Sequence, residues 1–252
     1  MKNIASSEVS TEAVAEALAD RLDAAFGFSS GGAEVWLRLA QGLRYGPVDM
    51  GEWDAKSRER VLAFPATEFG DVESAGAERA GAGYAGAECV GAECVGDVVE
   101  GSIVTRRPTV HEIRGLAGGD YQAWMWCFFD ALLVHVTGSE ATQIRSECPR
   151  TGEAIVVNLR EGALDSSRAQ GDWDGRELSV SLPVLFTPGA NLREDFCCRS
   201  RVWAVHPDAM REAAQATGVG GAGQAGVVYV SIEQALRITE MVAQRLGLTA
   251  SS

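Results

Sequence analysis

An α+β fold is what this sequence predicts, and three features of the chain point to it. Helical periodicity dominates roughly the first 65 residues, a Gly/Ala/Glu-rich stretch then interrupts it, and β-branched segments with a closing helix follow from residue 98 onward. Helices and strands segregated in this way, and not alternating, read as α+β. The expected organisation is a helical N-terminal domain over 1–72, a linker or loop over 73–97, and a mixed sheet-and-helix domain over 98–252.

Residues 11–26 place Val14, Leu18, Leu22 and Phe26 one turn apart, with Thr11 able to cap the start and Gly27 following the end. A second helix fits Ala33 to Leu43, and a third runs from Ala55 to Phe64, stopping before Pro65. Three short helices could form a helix-turn-helix-like bundle, but they lack the basic recognition face that DNA contact needs. Residues 70–97 hold a tandem repeat, Gly86-Ala-Glu-Cys-Val90 then Gly91-Ala-Glu-Cys-Val95. Low complexity favours a linker that buries little, with Cys89 and Cys94 incidental to a duplication. A thiol-scavenging role is the other reading.

Strands are expected at 102–105, 109–113, 142–146, 154–159, 177–186 and 200–205, with a helix from Trp124 to Val136. Cys148-Pro-Arg-Thr-Gly152 forms a turn that makes a hairpin of its flanking strands. Ser231 and Gln234 stand in capping-box spacing at the head of a final helix, Ile232 to Leu246.

Composition narrows the function. A net charge of −13, with Lys2 and Lys56 the only lysines, argues against nucleic acid as the main partner. No apolar run reaches membrane-spanning length, and the N-terminus lacks a signal-peptide core. The expected compartment is therefore the cytoplasm, where six cysteines stay reduced and open to catalysis or metal binding. There is no G-x-S-x-G elbow and no phosphate loop, and the glycines near 218–226 lack nucleotide-fingerprint spacing.

The chemistry is concentrated in Cys127-Phe128-Phe129-Asp130 and Phe196-Cys197-Cys198. On a helix, positions 127 and 130 share a face, so thiol and carboxyl would open into one space. An aspartate among so many apolar residues is costly to bury without a partner or a task, and burial raises a carboxyl pKa toward proton-transfer duty. If the second thiol pair lies on a strand, its side chains face opposite ways, so one alone can meet Cys127. Cys197 is the choice, with Cys198 packing away or assisting. Two soft donors and a proton carrier suit cleavage of a bond between carbon and a soft metal. A zinc site of Cys127, Cys148, Cys197 and a histidine is the competing arrangement, but the chain has no C-x-x-C pair or paired histidines at ligand spacing. Cys148 reads as a structural thiol, and His111, His135 and His206 as surface or satisfied core histidines.

Several of these segments together resemble the organomercurial (alkylmercury) lyase family. The resemblance rests on Trp126-Cys127-x-x-Asp130-x-Leu132, Ser146-x-Cys148-Pro149-x-Thr151-Gly152, Asp195-Phe196-Cys197-Cys198 and Val230-Ser231-x-Glu233-x-Ala235, and covers about 98–246. It implies a lyase without a cofactor, with Cys127, Asp130 and Cys197 as catalytic trio and as holders of the Hg(II) product. It also implies a winged-helix-like N-terminal part that does not bind DNA. The substrate would be an organomercurial, and the acceptor of Hg(II) a cellular thiol or a mercuric reductase. Trp126, Phe128, Phe129, Phe196 and Cys198 are the candidates to line the substrate pocket. A non-catalytic thiol protein that sequesters mercury or copper is the alternative.

Overall fold

The computed structural model describes residues 10–65, 67–69, 98–116, 121–138, 140–165, 178–187, 192–216 and 226–249. The repeat with Cys89 and Cys94 lies outside these residues, as does the glycine run over 217–225.

The N-terminal helices are α1 (Thr11–Phe26), α2 (Ala33–Leu43) and α3 (Ala55–Ala63). The cap of α1 is Ser10, not Thr11: Ser10 Oγ accepts from the Ala13 N–H, and Thr11 is already helical. Gly27 ends α1 at φ +64°, a left-handed conformation that a side chain would oppose. Asp54 caps α3 through the Ser57 N–H at 3.0 Å.

Two short strands, β1 (Val48–Asp49) and β2 (Glu68–Phe69), carry the N-terminal part into the main sheet. Both pair with β3 (Val98–Gly101). The sheet continues through β4 (Val104–Thr105), β5 (His111–Gly115), β6 (Gln122–Met125), β7 (Thr142–Glu147), β8 (Ala154–Arg160) and β9 (Ala163–Leu164). Its spatial order is β1-β3-β4-β6-β5-β7-β8-β9, and every pairing in it is antiparallel. The β7–β8 hairpin turns at Cys148–Gly152, closed by the Gly152 N–H to the Cys148 carbonyl at 2.9 Å.

A second sheet of β10 (Ser179–Pro183), β11 (Val202–Trp203) and β12 (Val227–Ser231) has β10 at its centre. The remaining helices are α4 (Phe128–Thr137), α5 (Leu192–Asp195), α6 (Pro207–Ala216) and α7 (Ile232–Arg245). The capping box of α7 forms as its spacing predicts.

Helix α4 is buried over its first eight residues, Phe128 to His135. A helical stretch that is apolar all round but for Asp130 and His135 belongs in the interior, where both of its sides find partners. Here β5, β6 and β7 lie under it and α7 packs against it, with α1 in turn on α7. One continuous apolar core therefore runs from α1 to the second sheet.

Two local expectations are corrected. The predicted helix from Trp124 begins at Phe128, because Gln122–Met125 pairs as a strand with both β4 and β5. The thiol pair at 197–198 lies on no strand. A single helical turn over Cys197–Arg199 carries it, and β11 begins only at Val202.

Candidate active site

The late start of α4 makes Cys127 its N-cap. The residue is extended, at φ −144° and ψ 167°, and its Sγ accepts from the Asp130 N–H at 3.4 Å. Capping leaves two further N–H groups of the first turn to satisfy. Ser200 takes both: its carbonyl accepts from Phe128 N–H and its Oγ from Phe129 N–H, each at 3.2 Å. Ser200 directly follows the thiol turn, and its own N–H returns to the Phe196 carbonyl at 3.0 Å. The head of α4 is thus stitched to the turn that holds Cys197. Two segments about seventy residues apart in sequence meet because one completes the other's unsatisfied backbone.

The result is a cluster of Cys127 Sγ, an Asp130 carboxylate oxygen and Cys197 Sγ, all within 4.8 Å of one another and all buried. The Cys197 thiol faces Asp130 Oδ2 at 3.9 Å. Cys148 lies outside this cluster, in the hairpin turn, so the alternative zinc set is not assembled among the described residues.

Electrostatics prime the group for proton traffic. Burial pushes the Asp130 carboxyl up to about 7, against the opposing pull of hydrogen bonds from the Cys127 side chain and backbone and from Cys197. Burial likewise holds the Cys127 thiol well above its ordinary value, helped by Cys197 and the Asp130 charge. For Cys197, the Cys127 hydrogen bond favours the thiolate, but burial and the Asp130 charge outweigh it and the thiol ends raised. All three groups are thus shifted toward their protonated forms. The Asp130 N–H and the positive end of α4 point at Cys127 Sγ and favour the thiolate once a soft cation replaces the proton.

Asp130 and Cys197 open onto a narrow cavity of about 20 Å³ whose walls are nearly all apolar. Of the five residues expected to line it, Trp126, Phe129 and Phe196 do so. The Phe129 and Phe196 rings meet edge to face at 5.5 Å. Phe128 points the other way, packing its ring on His111 at 6.2 Å, and Cys198 is exposed on the outer side of its turn. Neither lines the cavity.

Sequence reasoning missed most of the opposite wall. Leu22, Phe26, Phe28 and Trp36 close the cavity from the N-terminal helices, and the Ser102 hydroxyl lies buried beside it with no partner among the described residues. Residues at helix ends and core positions carry no catalytic spacing, so their periodicity reads only as packing. Arg193 was missed as well. Its guanidinium covers the Trp126 ring at 3.7 Å and pairs with Glu68 at 2.7 Å, tying the thiol segment to β2.

Among solved structures, the mercury-bound form of MerB2 is similar at a TM-score of 0.45 and 20% identity, over 59% of this chain and 65% of that one. Residues 104–244, more than half of the sequence, match the family model described as alkylmercury lyase. That span contains both thiol segments, the acid between them and the Ser200 stitch, and the chain belongs to the alkylmercury lyase family.

Proposed function

We propose that this protein is an organomercurial lyase that protonates the carbon of a carbon–mercury bond, releasing a hydrocarbon and Hg(II) in mercury detoxification. The observation that carries the reading is the buried trio, two sulfurs and one carboxyl within 4.8 Å of one another beside an apolar cavity. The substrate is an alkyl- or arylmercury cation delivered on a small thiol.

Asp130 accepts the proton of one cysteine as that sulfur takes R–Hg⁺, and passes it to the delivering thiolate, which leaves as the free thiol. The second sulfur then adds to mercury, and its proton passes to Asp130. Electron density from two sulfur donors makes the bound carbon more carbanion-like, and Asp130 hands it that proton. One organomercurial thiolate and two protein thiols thus become one hydrocarbon, one free thiol and Hg(II) on two sulfurs. A carboxyl held near pH 7 suits both halves of this exchange, because it can be acid or base without a large driving force either way.

Trp126, Phe129 and Phe196, with the apolar wall from the N-terminal helices, exclude the water that would compete for the thiolates. No helix among the described residues is long and apolar enough to cross a membrane. The Hg(II) left behind passes to a cellular thiol or to a mercuric reductase.

A protein that only sequesters mercury or copper would need the thiols but not the acid. Burying Asp130 among apolar side chains at a cost in stability supports turnover over storage. Gas chromatography of the headspace over protein, methylmercury and excess thiol tests this. Methane at many turnovers is expected, and uptake of one metal per protein without methane would overturn the reading.

A further inference from the structure

A second, larger concavity among the described residues lies on the outer side of the same thiol turn. A cleft of about 420 Å³ is lined by the exposed Cys198 together with Glu147, Arg199, Arg201, Trp203 and Tyr229. Its size falls in the range of small-molecule sites. Cys197 and Cys198 are neighbours on one helical turn, one buried in the cavity of the trio and the other open to this cleft. Nothing in the cleavage chemistry uses the outer side.

Its walls have a definite chemistry. Two guanidiniums converge on it in a chain whose net charge is −13. Arg201 is fixed: its Nε donates to the Cys198 carbonyl at 3.1 Å, and its Nη1 lies 3.4 Å from Nε2 of the buried His111. Arg199 has no carboxylate partner among the described residues. Guanidinium groups recognise carboxylates with strength and direction. Glu147, across the cleft, would meet an ammonium group. Trp203 and Tyr229 offer faces to an aliphatic stem.

We propose that this cleft is the exit site for mercury, and that it binds a small thiol bearing a carboxylate and an amino group. The proposal rests on the lyase reading for the origin of the Hg(II), and it gives that product a route out of a narrow, buried cavity. Cys198 attacks Hg(II) held by Cys127 and Cys197, the Cys127 sulfur leaves, and the Cys198 proton passes to it. Two acceptor thiols, bound in turn at the arginines, displace Cys198 and Cys197 and protonate them. Mercury stays Hg(II) throughout, three sulfur–mercury bonds form for three broken, and no redox partner is needed.

The test uses the full chain loaded with one equivalent of inorganic Hg²⁺, so that cleavage plays no part. Release is followed by rapid gel filtration and elemental analysis while glutathione or the neutral 2-mercaptoethanol is added. Release by glutathione is expected to saturate, with Arg199→Gln raising the half-saturating concentration about tenfold, the loss of a charged hydrogen bond, and leaving 2-mercaptoethanol unaffected. Arg199→Lys should recover part of the loss. Cys198→Ser should slow release by both thiols roughly tenfold or more, the size expected when a direct relay step is removed. Thermal melting confirms that each variant is folded. Release linear in glutathione with equal slopes for the two thiols would overturn the proposal, as would an unchanged rate in Cys198→Ser. Absence of hydrocarbon from the unmodified protein is a separate result and would sink the lyase reading instead.

Discussion

Two buried polar clusters sit on opposite sides of the first turn of α4, and they are built to opposite ends. On one side are Cys127, Asp130 and Cys197; on the other, reached past the Phe128 ring, are His111 and Ser146. The histidine is satisfied at both ends: its Nδ1 is 2.8 Å from Ser146 Oγ, and its Nε2 is 3.4 Å from Arg201. Burial, and then the Arg201 charge, push its pKa down to about 3, so it stays neutral across the physiological range. Asp130 has weak sulfur partners instead, and burial leaves it near 7. The lesson is that burial alone does not mark a functional group. What separates the two is whether the surroundings settle the protonation state or leave it balanced.

Removing the balanced group should have the largest effect. Cys127→Ala, Cys197→Ala and Asp130→Ala are each expected to lower benzene release from phenylmercury by about 10³-fold or more, in line with the loss of general acid–base or nucleophilic catalysis. Headspace assays of the purified variants check this. Substantial turnover in Cys197→Ala would place the second sulfur elsewhere and dissolve the contrast between the two clusters.

The next effect is on stability, and the two clusters should respond to pH with opposite signs. Asp130 binds its proton more tightly folded, near pH 7, than at its ordinary value of 3.8, so its contribution is full below pH 3.8 and is lost as pH rises toward 7. Asp130→Asn should therefore stabilise the protein progressively over that window, with an upper bound on the order of 4 kcal/mol at alkaline pH. His111 binds its proton less tightly folded, near 3, than at its ordinary 6.5, so its contribution is full above 6.5 and is lost as pH falls toward 3. His111→Phe should flatten that acid limb while costing about 1–3 kcal/mol at neutral pH, since it strands the Ser146 hydroxyl. Thermal melts of the three proteins from pH 4 to 8 measure both slopes. A rise in the stabilising effect of Asp130→Asn toward acid pH would contradict a raised carboxyl.

How much of this was legible in the sequence follows from where the physics is local. Amphipathic spacing and caps are local, so α1, α2 and α7 stand where their periodicity puts them. The Ser231–Gln234 box needed only four residues to be read. The helix expected over Trp124 to Val136 starts four residues late because Trp124 and Met125 fit an apolar helix and a strand equally well. Only pairing with β4 and β5, set by distant residues, makes them strand. At the site, Asp130 could be singled out because a carboxylate in an apolar run is anomalous in itself. Strand alternation predicts that one of Cys197 and Cys198 faces inward. The structure separates the two by the winding of a helical turn, which sends one sulfur inward and the other out. The wall supplied by Phe26, Phe28 and Trp36 could not be read at all, since nothing in a core residue's spacing says which cavity it will face.

Ser200 belongs to the same illegible class, and it sharpens the comparison at its smallest scale. Its hydroxyl accepts from the Phe129 N–H, and its carbonyl from the Phe128 N–H, so only the side-chain half of the stitch can be removed by mutation. Ser200→Ala should cost about 1 kcal/mol, as other lost helix caps do, which a denaturant titration would resolve. The loss should not be confined to stability. The turn bearing Cys197 is held to α4 partly through this bond, so hydrocarbon release should fall by a factor of roughly 2–10 from misalignment of the second sulfur. Ser200→Thr, which keeps the hydroxyl, should recover both quantities. A variant Ser200→Ala that loses stability but cleaves phenylmercury at the full rate would mean that the carbonyl alone aligns the thiols, and that the hydroxyl is a cap and nothing more.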